Sequence, residues 1–111
     1  IDPAALADTL HMLAGTAEVS FTGACPAFQS PRTTPLASAF VRAIRQHGGQ
    51  PAFLHKTGTA DMNVVGPVWQ CPIVAYGPGD SRLDHTPNEH LELAEYERAI
   101  AVLAGVLAQL R

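Results

Sequence analysis

A chain of 111 residues with 47% hydrophobic residues and a formal net charge of −3 has the size and composition of a single small domain. These values exclude a disordered acidic segment and a basic protein that binds nucleic acid. We find no run of about eighteen apolar residues and no apolar signal core, so we expect a cytoplasmic protein with no membrane partner.

The first third of the chain predicts a helix, a strand and a linker. The helix covers residues 3–14, because Asp2 can cap its start and Gly15 can end it. Residues 17–22 (AEVSFT) then alternate apolar and polar side chains, which indicates a half-buried strand. Residues 26–35 contain three prolines and no apolar period, which is typical of a linker.

The rest of the chain alternates helices and strands. A second helix is predicted from Leu36 to the glycine pair at 48–49, and short strands are predicted at 51–55 (PAFLH) and 73–76 (IVAY). A last helix over 93–110 is the clearest pattern in the sequence. Its apolar side chains recur every three or four residues as Leu93, Tyr96, Ile100, Leu103, Leu107 and Leu110.

This alternation predicts an open α/β layer structure from Pro35 onward. Sites in such folds form beyond the carboxyl ends of the strands. Two loops follow predicted strands, residues 56–63 (KTGTADMN) and 77–90 (GPGDSRLDHTPNEH). We therefore expect both loops at one rim of the sheet.

The second loop carries the candidate metal ligand. His85 follows a predicted buried strand, and Asp84 and Glu89 are close enough in sequence to orient its ring. His90 could add a second ligand. The alternative is a solvated polar loop before the last helix, and any metal site is partial because no HxH or HExxH spacing completes it.

The first loop and the linker carry the candidate substrate contacts. Lys56 precedes the glycine, which excludes the GxxxxGK[ST] phosphate loop, but Thr57, Gly58 and Thr59 could present backbone N–H groups to a carboxylate or oxyanion. The alternative is a left-handed turn closed by the threonine hydroxyls. Arg32 could hold a substrate carboxylate, or be an ordinary exposed arginine of a linker.

Together, KTGTADMNVV, PIVAYGPGDSRLDHTPNEHLEL and the last helix resemble the C-terminal portion of the co-catalytic zinc aminoacylase and carboxypeptidase family. That family includes acetylornithine deacetylase and succinyl-diaminopimelate desuccinylase. Within it, the sequence is most similar to the acetyl-lysine deacetylase branch, hydrolases that release lysine or ornithine from an amino-group carrier protein. The resemblance extends from about Leu36 to the end, and the order GPG…HxxNE is its most specific part.

The resemblance implies two domains. Residues 1–32 would be the last helix and strand of an α+β lid (dimerisation) domain with its hinge. Residues 33–111 would be the closing part of an α/β metallopeptidase catalytic domain. The start at Ile1 without a methionine agrees with a C-terminal piece of a longer chain.

The resemblance also implies the site. His85 aligns with a metal-ligand histidine of the family. A loop that lines the substrate cleft aligns with Lys56, Thr57, Gly58 and Thr59. Asp61, Asn88 and Glu89 are supporting residues. The complete enzyme would bind two zinc or cobalt ions, and its other ligands and its glutamate base would lie upstream, so no catalytic residue is expected in this chain.

The expected function is hydrolysis, by a metal-activated water, of an N-acyl or carrier-linked precursor of lysine or ornithine. The expected partners are that substrate or carrier, the upstream part of the enzyme and further copies of the chain, and the chain alone is expected to be inactive. An alternative is a non-catalytic module that associates through the predicted strand edge at 17–22.

Overall fold

The structure is a computed structural model that describes residues 2–110. These residues form four α-helices: α1 (Pro3–Ala14), α2 (Pro35–Gln46), α3 (Asp61–Trp69) and α4 (Leu93–Gln109). They divide into two compact units. The first unit combines the residues through Ser30 with His55–Cys71, and the second combines Pro31–Leu54 with the residues from Pro72 onward. No helix in the described part of the chain is long and apolar enough to span a membrane.

Helix α1 of the first unit begins and ends where its local sequence predicts. The Asp2 carboxylate accepts a hydrogen bond from the N–H of Ala4 at 3.1 Å, and Pro3 occupies the first helical position. Gly15 follows with φ +62°, a conformation that favours glycine. No side chain of α1 is buried, and the Phe21 ring packs edge-on against the helix at His11.

Helix α3, also in the first unit, was not predicted. It begins at Asp61, so the helix takes in the second half of the predicted loop at 56–63. Asn63 joins its start to the chain around Pro26: the side-chain oxygen accepts from the N–H of Ala60 at 3.0 Å, and the side-chain nitrogen donates to the Pro26 carbonyl at 2.9 Å. The pair Gly66-Pro67 inside this helix has a low helix propensity, which explains why the sequence did not predict α3.

Gly66 shows why a glycine lies inside α3. A Cβ atom at this position would come within 2.5 Å of the Phe28 ring. The helix therefore approaches the linker segment more closely than any residue with a side chain would allow. Tertiary packing here outweighs the low helix propensity of glycine.

Helix α2 of the second unit confirms the prediction from Leu36 to the glycine pair. Thr34 caps it by accepting from the N–H of Ala37 at 3.0 Å. At the other end, the N–H of Gly49 donates to the Ile44 carbonyl at 2.8 Å while Gly48 has φ +75°. Both ends of this helix are thus satisfied by local groups.

The core of the second unit is the contact between α2 and α4. A Cβ placed on Gly105 would lie 3.8 Å from that of Ala43, so the two helices approach closely where their side chains are smallest. Val74 packs against the core from the segment between them in sequence. The buried cluster consists of Ala39, Phe40, Ala43, Val102 and Val106.

The predicted extent of α4 is confirmed, but its most apolar stripe is not the buried one. Each large side chain of that stripe, from Leu93 to Leu110, is between 44 and 75% exposed. The helix instead buries Ala99, Val102 and Val106. Small residues allow α2 to come close, so the buried face follows shape and not the highest hydropathy.

The predicted strands are absent from the described residues. No ladder forms at 17–22, 51–55 or 73–76, and no backbone hydrogen bond joins these segments. A strand needs a neighbour that supplies its hydrogen-bond partners, and alternation of side chains does not reveal whether one is present. The described residues therefore do not show the α/β sheet, and the α/β metallopeptidase fold stays a prediction.

The compact units also cut the sequence differently from the predicted boundary at residue 32. Residues 55–71 group with the first unit and not with the rest of 33–111. The assignment of residues 1–32 to a lid and 33–111 to a catalytic domain stays a prediction.

Candidate functional site

The loop that precedes α4, residues 77–92, belongs to the second unit. It contains three consecutive turns, each closed by an N–H that donates to the carbonyl three residues earlier. Leu83 donates to Asp80 at 2.9 Å, Thr86 to Leu83 at 3.0 Å, and Glu89 to Thr86 at 3.1 Å. The backbone of this polar loop is therefore locally ordered although most of its side chains are exposed.

An ion pair closes the first turn. The Arg82 guanidinium donates from Nε to both carboxylate oxygens of Asp80, at 2.9 and 3.0 Å, and from Nη2 to Oδ2 at 2.5 Å. The side-chain hydrogen bond from Arg82 and then its backbone N–H lower the pKa of Asp80 to about 2. Both side chains are exposed, so solvent screens the pair and its contribution to stability is small.

Titration of Asp80 tests this arrangement. Because the folded pKa of about 2 lies below the ordinary value of 3.8, the ion pair stabilises the turn above pH 3.8 and is lost as the pH falls through about 2. We expect carboxyl-carbon NMR to place the midpoint near the lower value, and Arg82→Ala to move it back toward the ordinary one. A midpoint that Arg82→Ala leaves unchanged would contradict the assignment.

His85 lies in the next turn, with its side chain exposed and its backbone at φ +63°. Its N–H donates to Oε2 of Glu89 at 3.0 Å. Its imidazole makes no hydrogen bond or ion pair with any other described residue. The Asn88 carbonyl faces Nδ1 of His90 at 2.6 Å, so this second histidine is engaged within the loop.

The described residues do not form a complete metal site. A zinc site uses three or four ligands, and no group of three or more His, Cys, Asp or Glu side chains among the described residues could hold a metal ion. His85 fits as one ligand, because its ring is exposed and makes no competing hydrogen bond to the described residues. A complete set of ligands would therefore need at least one from outside residues 2–110.

Arg32 lies in the second unit, away from the His85 loop in sequence. It lines an open groove of about 560 Å³ at the start of α2, together with Thr34, Ser38 and Arg42. Its guanidinium also lies 5.7 Å from the centre of the Phe53 ring. No residue of the loop 77–92 lines this groove.

The predicted substrate loop, residues 56–60, belongs to the first unit and leads into α3. Gly58 does not have a positive φ, so the alternative of a left-handed turn at this glycine is wrong. The hydroxyls and N–H groups of Thr57 and Thr59 make no hydrogen bonds to described residues. Asp61 is the first residue of α3 and stabilises its positive N-terminal end.

Sequence reasoning missed the bond from Glu89 to the backbone of His85. It treated Glu89 as a possible partner of the ring, whereas the carboxylate reaches the N–H of His85. The four-residue spacing was visible, but only the left-handed backbone at His85 brings the N–H within reach. The Asp80–Arg82 pair was also missed, although an acid and a base two residues apart after Gly79 are compatible with it.

The sequence matches the profile of Peptidase family M20/M25/M40 over residues 1–109. The chain belongs to this family. Membership confirms the resemblance drawn from the GPG…HxxNE order.

Relatives within the M20 family also confirm the predicted branch. The LysW-lysine hydrolase of Deinococcus radiodurans is 54% identical over 94 residues, which are 85% of this chain and 26% of the relative. The putative LysW-lysine/LysW-ornithine hydrolase of Thermococcus kodakarensis is 56% identical over 86 residues (78% and 25%), and that of Pyrococcus furiosus is 52% identical over 85 residues (77% and 26%). The chain spans about a quarter of the length of these relatives.

Proposed function

We propose that this chain is part of a metal-dependent amidohydrolase that releases lysine or ornithine from a carrier-protein-linked or N-acyl precursor. Its membership of the M20 family is the observation that carries the proposal. The names of the relatives, which are hydrolases of LysW-linked lysine or ornithine, support the substrate class and a carrier protein as partner.

His85 is the proposed metal ligand. Its ring is exposed, lies on an ordered turn and makes no competing hydrogen bond to the described residues. A bound zinc or cobalt ion, one of two in the complete enzyme, would supply an activated water and polarise the scissile carbonyl. The remaining ligands and the glutamate that accepts the proton of the water are proposed to lie outside this chain.

The proposed substrate contacts come from two places. Thr57, Gly58 and Thr59 have N–H groups without partners among the described residues, which suits an oxyanion or a carboxylate. Lys56 precedes them, and Arg32 offers a guanidinium for bidentate binding of a carboxylate. We propose Asp61, Asn88 and Glu89 as supporting residues: Asp61 begins α3, the Asn88 carbonyl faces the His90 ring, and the Glu89 carboxylate accepts the N–H of His85.

We also propose that the segment is inactive without the upstream part, that it acts in the cytoplasm, and that the complete enzyme is a homo-oligomer. The exposed apolar stripe of α4 favours association with further protein. The alternative of a non-catalytic association module loses its specific support, because residues 17–22 form no strand in the described chain.

A chimera tests the proposed function. The 94 residues of this chain that match the Deinococcus radiodurans LysW-lysine hydrolase would replace the corresponding segment of that enzyme, whose own sequence supplies the rest. We expect metal-dependent release of lysine from its LysW-linked form, within about tenfold of the parent rate, because the proposed contacts are carried by this segment.

The parent enzyme, prepared in parallel, is the positive control. Circular dichroism and a sizing column verify that the chimera is folded. A folded chimera that binds metal but releases no lysine, beside an active parent, would overturn the proposal.

A further inference from the structure

The backbone of His85 adopts a conformation that is uncommon for a residue with a side chain. Its φ of +63° is in the left-handed region, which non-glycine residues occupy in only a few per cent of cases. Such a conformation costs free energy and persists only when surrounding groups impose it. The imidazole cannot impose it, since it is exposed and makes no hydrogen bond to described residues.

Two contacts hold this backbone: the turn that the Thr86 N–H closes on the Leu83 carbonyl, with His85 as its third residue, and the Glu89 side chain. Its Oε2 accepts the N–H of His85 at 3.0 Å, and a charged acceptor makes this bond stronger than one between neutral groups. Glu89 is itself tied to the turn, because its own N–H donates to the Thr86 carbonyl. Thr86 also bonds to Leu83: its N–H and its hydroxyl both donate to the Leu83 carbonyl, at 3.0 and 2.8 Å.

The bond acts on the direction of the histidine side chain. A change of φ at His85 would swing the Cα–Cβ bond and carry the imidazole with it, whatever rotamer the ring adopts. Histidines that bind metals are commonly oriented through their second ring nitrogen. No described residue provides such a ring contact at His85, so its orientation is set at the backbone.

We propose that Glu89 is a positioning residue, which directs the His85 imidazole toward the metal by holding the left-handed backbone through the N–H of His85. This inference rests on the proposed role of His85 as a metal ligand. Glu89 does not touch the metal or the substrate. The essential property is an acceptor oxygen at this distance, and the negative charge strengthens the bond.

Three substitutions in the chimera test this role. Glu89→Ala removes the acceptor, whereas Glu89→Gln keeps an oxygen that can accept the same N–H. Glu92→Ala is the matched control, because Glu92 is an exposed acid of the same loop that makes no bond to His85. Affinity for Co²⁺ or Zn²⁺ is measured by competition with a chelating dye. Amide exchange of His85 is measured by NMR in the metal-free 111-residue chain.

We expect Glu89→Ala to weaken metal binding about tenfold or more and to speed exchange at His85, as for lost supporting contacts of metal ligands. Glu89→Gln and Glu92→Ala should both stay within about threefold of the unsubstituted protein in affinity, and Glu92→Ala should leave the exchange rate unchanged.

Two results would overturn the inference, and they are distinguishable. If His85→Ala abolishes a metal-binding step that Glu89→Ala leaves intact, Glu89 is no positioning residue although the proposed metal ligand stands. If His85→Ala leaves metal affinity unchanged, the proposed function of this loop fails, and the inference that rests on it fails as well.

Discussion

Replacing His85 with alanine in the chimera is expected to lower metal-dependent hydrolysis by at least about a hundredfold, since loss of a ligand exceeds the cost of losing a supporting contact. The physical reason is that an open metal site with one ligand fewer holds its ion weakly and no longer fixes the bound water. The measurements are the hydrolytic rate and the metal content of the purified protein by mass spectrometry.

His90→Ala is the control for this substitution. His90 belongs to the same loop, but its Nδ1 already faces the Asn88 carbonyl. Its removal should change the rate by less than about threefold, as for most surface substitutions. Equal losses from the two variants would show that the loop tolerates neither change for structural reasons. Full activity and full metal content of His85→Ala would refute the ligand assignment.

Burying a carboxylate at Val102 is expected to unfold the second unit. Val102 is 1% exposed and lies on the face of α4 that packs against α2, so Val102→Asp places a charge without a partner in an apolar core. The cost is several kcal/mol, of the order of the whole stability of a small domain. Urea denaturation of the 111-residue chain, followed by far-UV circular dichroism, measures it.

Leu103→Asp is the matched comparison for this core. The neighbouring Leu103 is 44% exposed and lies on the apolar stripe of α4. Its replacement should cost less than about 1 kcal/mol, because the new carboxylate remains hydrated. If Leu103→Asp were more destabilising than Val102→Asp, the result would contradict the assignment of Val102, and not Leu103, to the face of α4 that packs on α2.

Helix α4 was predictable from the spacing of its apolar residues, but its buried face was not. Periodicity found the helix because residues three or four apart share a face in any helix. It does not show which face is buried, because large side chains dominate a hydropathy pattern, whereas the helix buries Ala99, Val102 and Val106. How closely two helices approach depends on both of them, so it cannot be predicted from the sequence of one helix.

The loop around His85 was also predictable only in part. The sequence identified the loop and His85 as a candidate, and it named Glu89 as a residue beside it. The turn that joins them depends on a left-handed φ at a histidine, which no residue type at that position demands. Spacing could suggest the pair but could not tell a ring contact from a backbone contact.

By itself, the sequence determined the family and the positions of α1, α2 and α4. Helix ends are specified locally, by Asp2 and Gly15 around α1 and by the glycine pair after α2, because caps bond only to the nearest turn. Tertiary structure alone decided the rest. Helix α3 depends on the contact of Gly66 with Phe28, the buried face of α4 depends on α2, and the segments predicted as strands have no neighbouring strand to bond. Each of these depends on a partner distant in sequence, which local patterns do not encode.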